Sequence, residues 1–314
     1  MNRFLLRVLL PFLILISSLF WCGEFYLRSL PNDFKTKNQY LEDNAKDIKL
    51  MVLGASTVSM GIKPGYFDIQ PAYNFAYASQ NLEYNYWIMS KCFDRMDSLK
   101  YVILDMSCGM PWNYGPDVAL GRNKFYRIYY GYPDLPVEFE MSASIKELYH
   151  RIWPTDGKEA IQTIDEDGYQ GGYYEDVPYD EIKWKESVKW SVEYYAEILQ
   201  GPDAGQRYHG GVEHICKIVS KCKEKDIQVL MVTLPAMKMF YDNINPKQTE
   251  TLYCLVDSLR IVYDNVTYMD FFKSDSLFTV DEMYNPTHLN PRGAKKFTLM
   301  LNDSIKKIEE IRCK

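Results

Sequence analysis

The chain has 314 residues, of which 47% are hydrophobic and 25% charged, with a formal net charge of −6 at pH 7. These are the proportions of an ordinary globular protein, and a negative balance with no basic run among aromatics excludes nucleic acid as an expected partner. Seven cysteines at unpaired spacings do not make a disulfide framework, although a single bridge would suit an exported chain.

Arg3 and Arg7 precede an apolar run from Val8 to Gly23 that only Ser17 and Ser18 interrupt. Phe4 to Leu6 and Phe25 to Leu27 extend it toward the roughly 20 residues that cross a bilayer. Bulky Trp21 near Gly23 makes a poor cleavage site. Residues 1–31 are therefore expected to form an N-terminal transmembrane helix, a signal anchor in the cell membrane. The basic flank favours a cytoplasmic N-terminus, with residues 32–314 extracytoplasmic. A buried apolar helix is the alternative.

Five short apolar runs bounded by turn residues read as strands: Lys49 to Leu53, Ala72 to Ala76, Tyr101 to Asp105, Gln228 to Leu234 and Val266 to Asp270. Apolar residues recur at helical spacing over Asn85 to Leu99, Gly211 to Lys225, Pro246 to Ile261 and Pro291 to Ile311. Alternating strands and helices predict an α/β fold, a three-layer α/β/α sandwich with a parallel five-stranded sheet. Ligands of such sheets bind beyond the carboxyl ends of the strands, and Ser56 follows the first strand.

Between the third and fourth strands lies an aromatic-rich insertion, from about 109 to 204, which includes Gly168 to Tyr174. It reads as a cap with helical pieces around Ser142 to Ile152 and Tyr179 to Leu199. Its aromatics suit stacking on sugar rings as well as structural packing. Cys92, Cys216 and Cys254 read as small buried hydrophobes, and Cys108 as a packed thiol. His209 and His214, around Gly210 and Gly211, have no carboxylate or cysteine at ligand spacing and read as helix-boundary residues. No metal site and no cofactor is expected.

The chemistry is carried by two motifs, Leu53-Gly54-Ala55-Ser56 and Asn285-Pro286-Thr287-His288-Leu289-Asn290. A serine after a strand and one of only four histidines suggest a nucleophile and its base, with a third group holding the imidazole tautomer. Asn285 stands in that third place. Gly54 allows a tight turn, the Ser56 N–H is placed to donate to an oxyanion, and Asn290 with Pro291 caps the last helix.

Strand, Gly-x-Ser, further sheet-helix units and the block from Asn285 to Ala294 together resemble the SGNH hydrolase superfamily. The N-terminal anchor, Asn74-Phe75-Ala76-Tyr77-Ala78-Ser79-Gln80 and the aromatic insertion make the chain look like membrane-anchored DltD-like and alginate-acetylation-like proteins. The resemblance implies Ser56 as nucleophile and His288 as base, with Asn285 in the usual aspartate position. An asparagine holds the tautomer but cannot stabilise the imidazolium by charge; in a serine protease the equivalent change lowers turnover about ten-thousand-fold, roughly 5 kcal/mol of barrier. Asp281 or Glu282 would be the substitute acid. For the oxyanion hole and substrate contacts, position suggests Gly54, Ala78 or Ser79, and Ser107 or Asn113. The implied function is extracytoplasmic transfer of an O-acyl group, such as acetyl, to a cell-surface polysaccharide, or ester cleavage on it, through acyl-Ser56. The implied partner is a multispanning membrane-bound O-acyltransferase. A catalytically silent protein that binds glycan or the acyltransferase is the alternative.

Overall fold

A computed structural model describes residues 2–115, 121–142, 148–149, 152, 164–174 and 178–312. Its contacts divide the chain into two compact units, Met1–Gln39 with Gly121–Thr163, and Tyr40–Leu120 with Ile164–Lys314.

The first unit contains α1 (Asn2–Ser29). Within it, Arg7–Ser29 has a mean hydropathy of 2.0 over its most apolar window and is long and apolar enough to cross a membrane. Its side chains from Val8 to Ile16 that are large and apolar stand exposed, as a lipid-facing surface requires. Toward the end of the helix Glu24 and Leu27 are buried, and the Glu24 carboxylate is taken up by donors. It accepts the backbone N–H groups of Glu140 (3.1 Å) and Met141 (2.9 Å) and pairs with Arg28 one turn on. The division between the units falls within α2 (Asp33–Asn44). Phe34 stacks on Phe125 at 5.0 Å between ring centroids.

In the second unit five strands, β1 (Leu50–Leu53), β2 (Ala72–Asn74), β3 (Tyr101–Asp105), β4 (Gln228–Thr233) and β5 (Val266–Asp270), form one parallel sheet in the order β2-β1-β3-β4-β5. Every residue of β1, β3 and β4 is buried. Continuous apolar runs are what a parallel sheet covered on both faces demands. One face packs Leu50, Val52, Ile103, Leu230 and Val232 against Phe297, Leu301 and Ile305 of the last helix. The chain crosses over between β1 and its two neighbours, so the carboxyl ends of β1 and β3 flank a topological switch point.

The helices of this unit are α3 (Ser56–Gly61) and α4 (Leu82–Cys92). Asn81 caps α4, its side chain accepting the Tyr84 N–H, and so α4 begins before the expected Asn85. In the first unit α5 spans Asn123–Tyr130. The helix expected over Ser142 to Ile152 lies largely outside the described residues. Back in the second unit come α6 (Glu181–Gln200), α7 (Ala204–Glu224), α8 (Lys238–Tyr241), α9 (Pro246–Val262) and α10 (Pro291–Arg312).

Two sequence expectations need correction. His209 and His214 lie inside α7 rather than at its boundary. Gly210 and Gly211 do not break the helix; a Cβ at Gly211 would sit 2.0 Å from the Pro111 carbonyl oxygen and one at Gly210 would be 2.5 Å from the Tyr114 ring, so the two glycines let the α7 backbone approach that segment. Cys254 is exposed, because α9 turns Leu252, Leu255, Val256 and Leu259 inward instead, and Cys216 of α7 is only partly buried. The six described cysteines are free.

Asn74 ends β2 fully buried, with its amide N–H groups on the Val58 and Ile62 carbonyl oxygens, both at 2.9 Å, and its Oδ1 accepting the Ala76 N–H at 3.0 Å. It thereby ties the end of α3 to the sheet. Asn74→Ala leaves the Ile62 carbonyl and the Ala76 N–H without this partner, while the Val58 carbonyl keeps the Ile62 N–H, and we expect a loss of about 2–4 kcal/mol, read as a lower urea midpoint with unchanged slope.

Candidate active site

The sheet sends β1 into the turn Leu53-Gly54-Ala55, and α3 then begins at Ser56. Gly54 has φ +152°, and a Cβ there would lie 2.3 Å from the Cβ of Asp105. Only glycine fits both demands. Gly54 is buried beneath the turn and does not line the cavity, so its place is structural rather than among the expected substrate contacts.

The other half of the site is a small antiparallel hairpin, β6 (Met283–Asn285) with β7 (His288–Leu289), in which Asn285 faces His288. Asn290 fixes it to α10: its Oδ1 accepts the N–H groups of Arg292 and Gly293 while its amide donates to the Asp281 carbonyl. The expected cap is present.

These elements bring His288 Nε2 to 2.8 Å from Ser56 Oγ. On the far side of the ring, Nδ1 is 3.0 Å from Asn285 Oδ1 and 3.0 Å from Thr287 Oγ1. The orientation of the Asn285 amide follows from its other partner. The Thr287 backbone N–H, which can only donate, is 2.9 Å from that same Oδ1. The carbonyl oxygen therefore faces the ring, Nδ1 carries the proton, and Nε2 presents its lone pair to Ser56. Burial disfavours the imidazolium and pushes the His288 pKa down to about 4.

Asp281 is exposed, and among the described residues no hydrogen bond joins it to His288. Glu282 closes a capping box with Thr279 and pairs with Lys296 at 2.7 Å. Glu282 is thus engaged within its local turn, and among the described residues no hydrogen bond brings either carboxylate to the ring.

A cavity of about 190 Å³ opens over Ser56 and His288, and Ser79, Ser107 and Asn113 also line it. Ala78 does not. Ser79 holds φ +57°, a left-handed conformation that non-glycine residues adopt at a cost of order 1–3 kcal/mol and that clusters at functional sites. Among the described residues no protein acceptor takes the N–H of Ser56 or of Ser79. Asn113 spends its amide N–H on the Gln80 carbonyl at 2.9 Å. Met110, Trp190, Tyr194, Tyr195 and Ile198 form the apolar wall, with Trp190 and Tyr194 stacked at 5.4 Å and 5°. Cys108 is buried, and its thiol is pushed up to about 12 by desolvation and the nearby Asp105 charge, which matches a packed thiol.

Sequence reasoning missed Thr287 as a partner of the ring, and the residues Thr57 and Asp105 beneath the nucleophile turn. A carboxylate closing an otherwise apolar strand was the available signal for Asp105. By NMR of the full-length chain in detergent, the His288 ring should titrate near pH 4 and move upward in Asn285→Asp, where a carboxylate stabilises the imidazolium. Titration near 6.5 in the wild type would contradict the desolvated site.

No protein-family model and no curated protein matches the sequence. Among solved structures the chain is similar to a proposed acylhydrolase of Bacteroides fragilis, at 10% identity and a TM-score of 0.39, over 88% of this chain and 95% of that one. It is also similar to a GDSL-like lipase of Bacteroides thetaiotaomicron, at 8% identity and a TM-score of 0.40, over 88% and 99%. A third, described as a proposed platelet activating factor from Streptococcus pneumonia, has 9% identity and a TM-score of 0.41 over 93% and 97%. Similarities of this size leave the fold assignment on the sheet order and register themselves.

Proposed function

We propose that the chain is a serine-dependent acyl-ester enzyme of SGNH type that cleaves or transfers an O-acyl group through acyl-Ser56. The observation that carries the reading is the line of contacts from Ser56 Oγ through His288 to Asn285 Oδ1, at 2.8 and 3.0 Å. In the proposed cycle Ser56 Oγ attacks the ester carbonyl carbon as its proton passes to Nε2. The N–H groups of Ser56 and Ser79 receive the oxyanion. Collapse of the tetrahedral intermediate breaks the ester C–O bond, and the imidazolium returns the proton to the leaving alkoxide. Water or an acceptor hydroxyl then gives its proton to Nε2 and attacks the acyl carbon, the bond from that carbon to Ser56 Oγ breaks, and Nε2 returns the proton to Oγ.

The stacked Trp190–Tyr194 face supports a sugar as the alcohol portion, since flat aromatic surfaces with polar edges suit pyranose rings. An N-terminal helix able to cross a membrane and the basic residues ahead of it support an anchored protein with its site outside the cytoplasm. A glycan substrate at the cell surface and a multispanning O-acyltransferase partner belong to this proposal. Asn285 favours a second reading, in which the site binds glycan or the acyltransferase without turnover, because no carboxylate offsets the imidazolium charge.

Full-length protein assayed on p-nitrophenyl acetate and on acetylated sugars separates the two. Ser56→Ala is expected to lower kcat at least about a thousandfold, and Asn285→Asp to raise it about tenfold or more. Nε2 works only when unprotonated, so kcat/KM should hold as pH falls until it drops through about 4, and this limb should shift upward in Asn285→Asp. Turnover that survives Ser56→Ala would sink the mechanism, and absence of turnover in every variant would favour the silent reading.

A further inference from the structure

Asp105 sits at the carboxyl end of β3 and is completely buried. Its partners are neutral donors on two separate segments. Oδ2 accepts the Ala55 N–H at 3.2 Å and the Thr57 hydroxyl at 2.7 Å, and Oδ1 accepts the Ser107 N–H at 2.8 Å. Ala55 and Thr57 are the residues on either side of Ser56, and Ser107 lines the cavity. The helix that Ser56 opens has Ala55 at its cap and no side-chain cap of its own. A side-chain cap at residue 55 would accept the N–H of Thr57 or Val58; Asp105 instead anchors the turn from below through the Ala55 N–H and the Thr57 hydroxyl, donors that a local cap does not serve. Gly54 makes room for it, since a Cβ there would overlap the Asp105 side chain.

We propose that Asp105 is the positioning residue for the nucleophile: its carboxylate clamps the two neighbours of Ser56 and the Ser107 lip of the cavity, and thereby holds Ser56 Oγ within reach of His288 Nε2. The proposal rests on Ser56 being the nucleophile. Asp105 takes no proton from the substrate. Its three donors can all be satisfied only by an acceptor at every position, so an amide in its place turns an N–H₂ toward at least one of them and displaces the turn. Misplacement of a reacting group by about 1 Å costs on the order of a hundredfold in rate.

The test compares full-length wild type with Asp105→Asn, Thr57→Val and Thr57→Ser by kcat, KM, melting temperature and the rate at which a fluorophosphonate labels Ser56. Asp105→Asn is expected to lower kcat and labelling about 10–100-fold with KM changed less than about twofold. Thr57→Val should lose about five- to tenfold, and Thr57→Ser, which keeps the hydroxyl, should stay within about twofold of wild type. Should Asp105→Asn fail to fold, the Thr57 pair carries the test. Wild-type labelling rates in Asp105→Asn or Thr57→Val, or a Thr57→Ser loss equal to that of Thr57→Val, overturn the positioning role and leave the nucleophile standing. A wild type that does not label overturns both.

Discussion

The hydrogen bond between Ser56 and His288 joins residues 232 positions apart, and its energy cannot account for its existence. Bringing the ends of so long a flexible segment together costs roughly 5 kcal/mol on a logarithmic loop scale, whereas one neutral hydrogen bond contributes about 1 kcal/mol net. The pairing must therefore be a consequence of the sheet and of α10. β1 fixes one end, since each of its residues is buried between β2 and β3. α10 fixes the other by packing Phe297, Leu301 and Ile305 on the same sheet face, with Asn290 tying the β6–β7 hairpin to its first turn. The site is a by-product of two well-buried elements, which is how a reactive geometry survives without strong contacts of its own.

Within that frame the imidazole is held by neutral groups alone. Asn285 and Thr287 set the tautomer, and burial keeps the ring uncharged. Such a site is well suited to accept the first proton and poorly suited to store it. Under the proposed mechanism both the formation and the breakdown of acyl-Ser56 would be slow, since each passes through the uncompensated imidazolium. The carboxylate nearest the nucleophile turn, Asp105, is spent on backbone and hydroxyl donors beneath it.

The strands were legible because burial on both faces leaves no room for alternation, and Tyr101–Asp105 and Val266–Asp270 coincide with their expected bounds. Ser56, His288 and Asn285 were legible because turn and cap residues, Gly54 and Asn290, mark the places where elements deliver side chains. What escaped detection depends on contacts remote in sequence. The Asp105 clamp reaches across 50 positions to Ala55; the carboxylate at the end of β3 marks the residue, but not its partners. The role of Gly210 and Gly211 shows only once Pro111 and Tyr114 are seen packed against them. Which of 26 tyrosines would face the cavity could not be read either, since the helical repeat in α6 offers several faces and only the packing of α6 selects Tyr194 and Tyr195. Glu282 was near His288 in sequence, but its carboxylate is taken up by a capping box with Thr279.

The most direct test is to trap the intermediate itself. Full-length protein would be mixed with an activated acetyl ester, quenched in acid at early times and mapped by peptide mass spectrometry. Acetyl on the peptide that carries Ser56, forming before product is released and absent in His288→Ala, is the predicted result. Steady turnover with no acyl group on Ser56, or acyl found on another residue at the same rate, would contradict a serine nucleophile at this site.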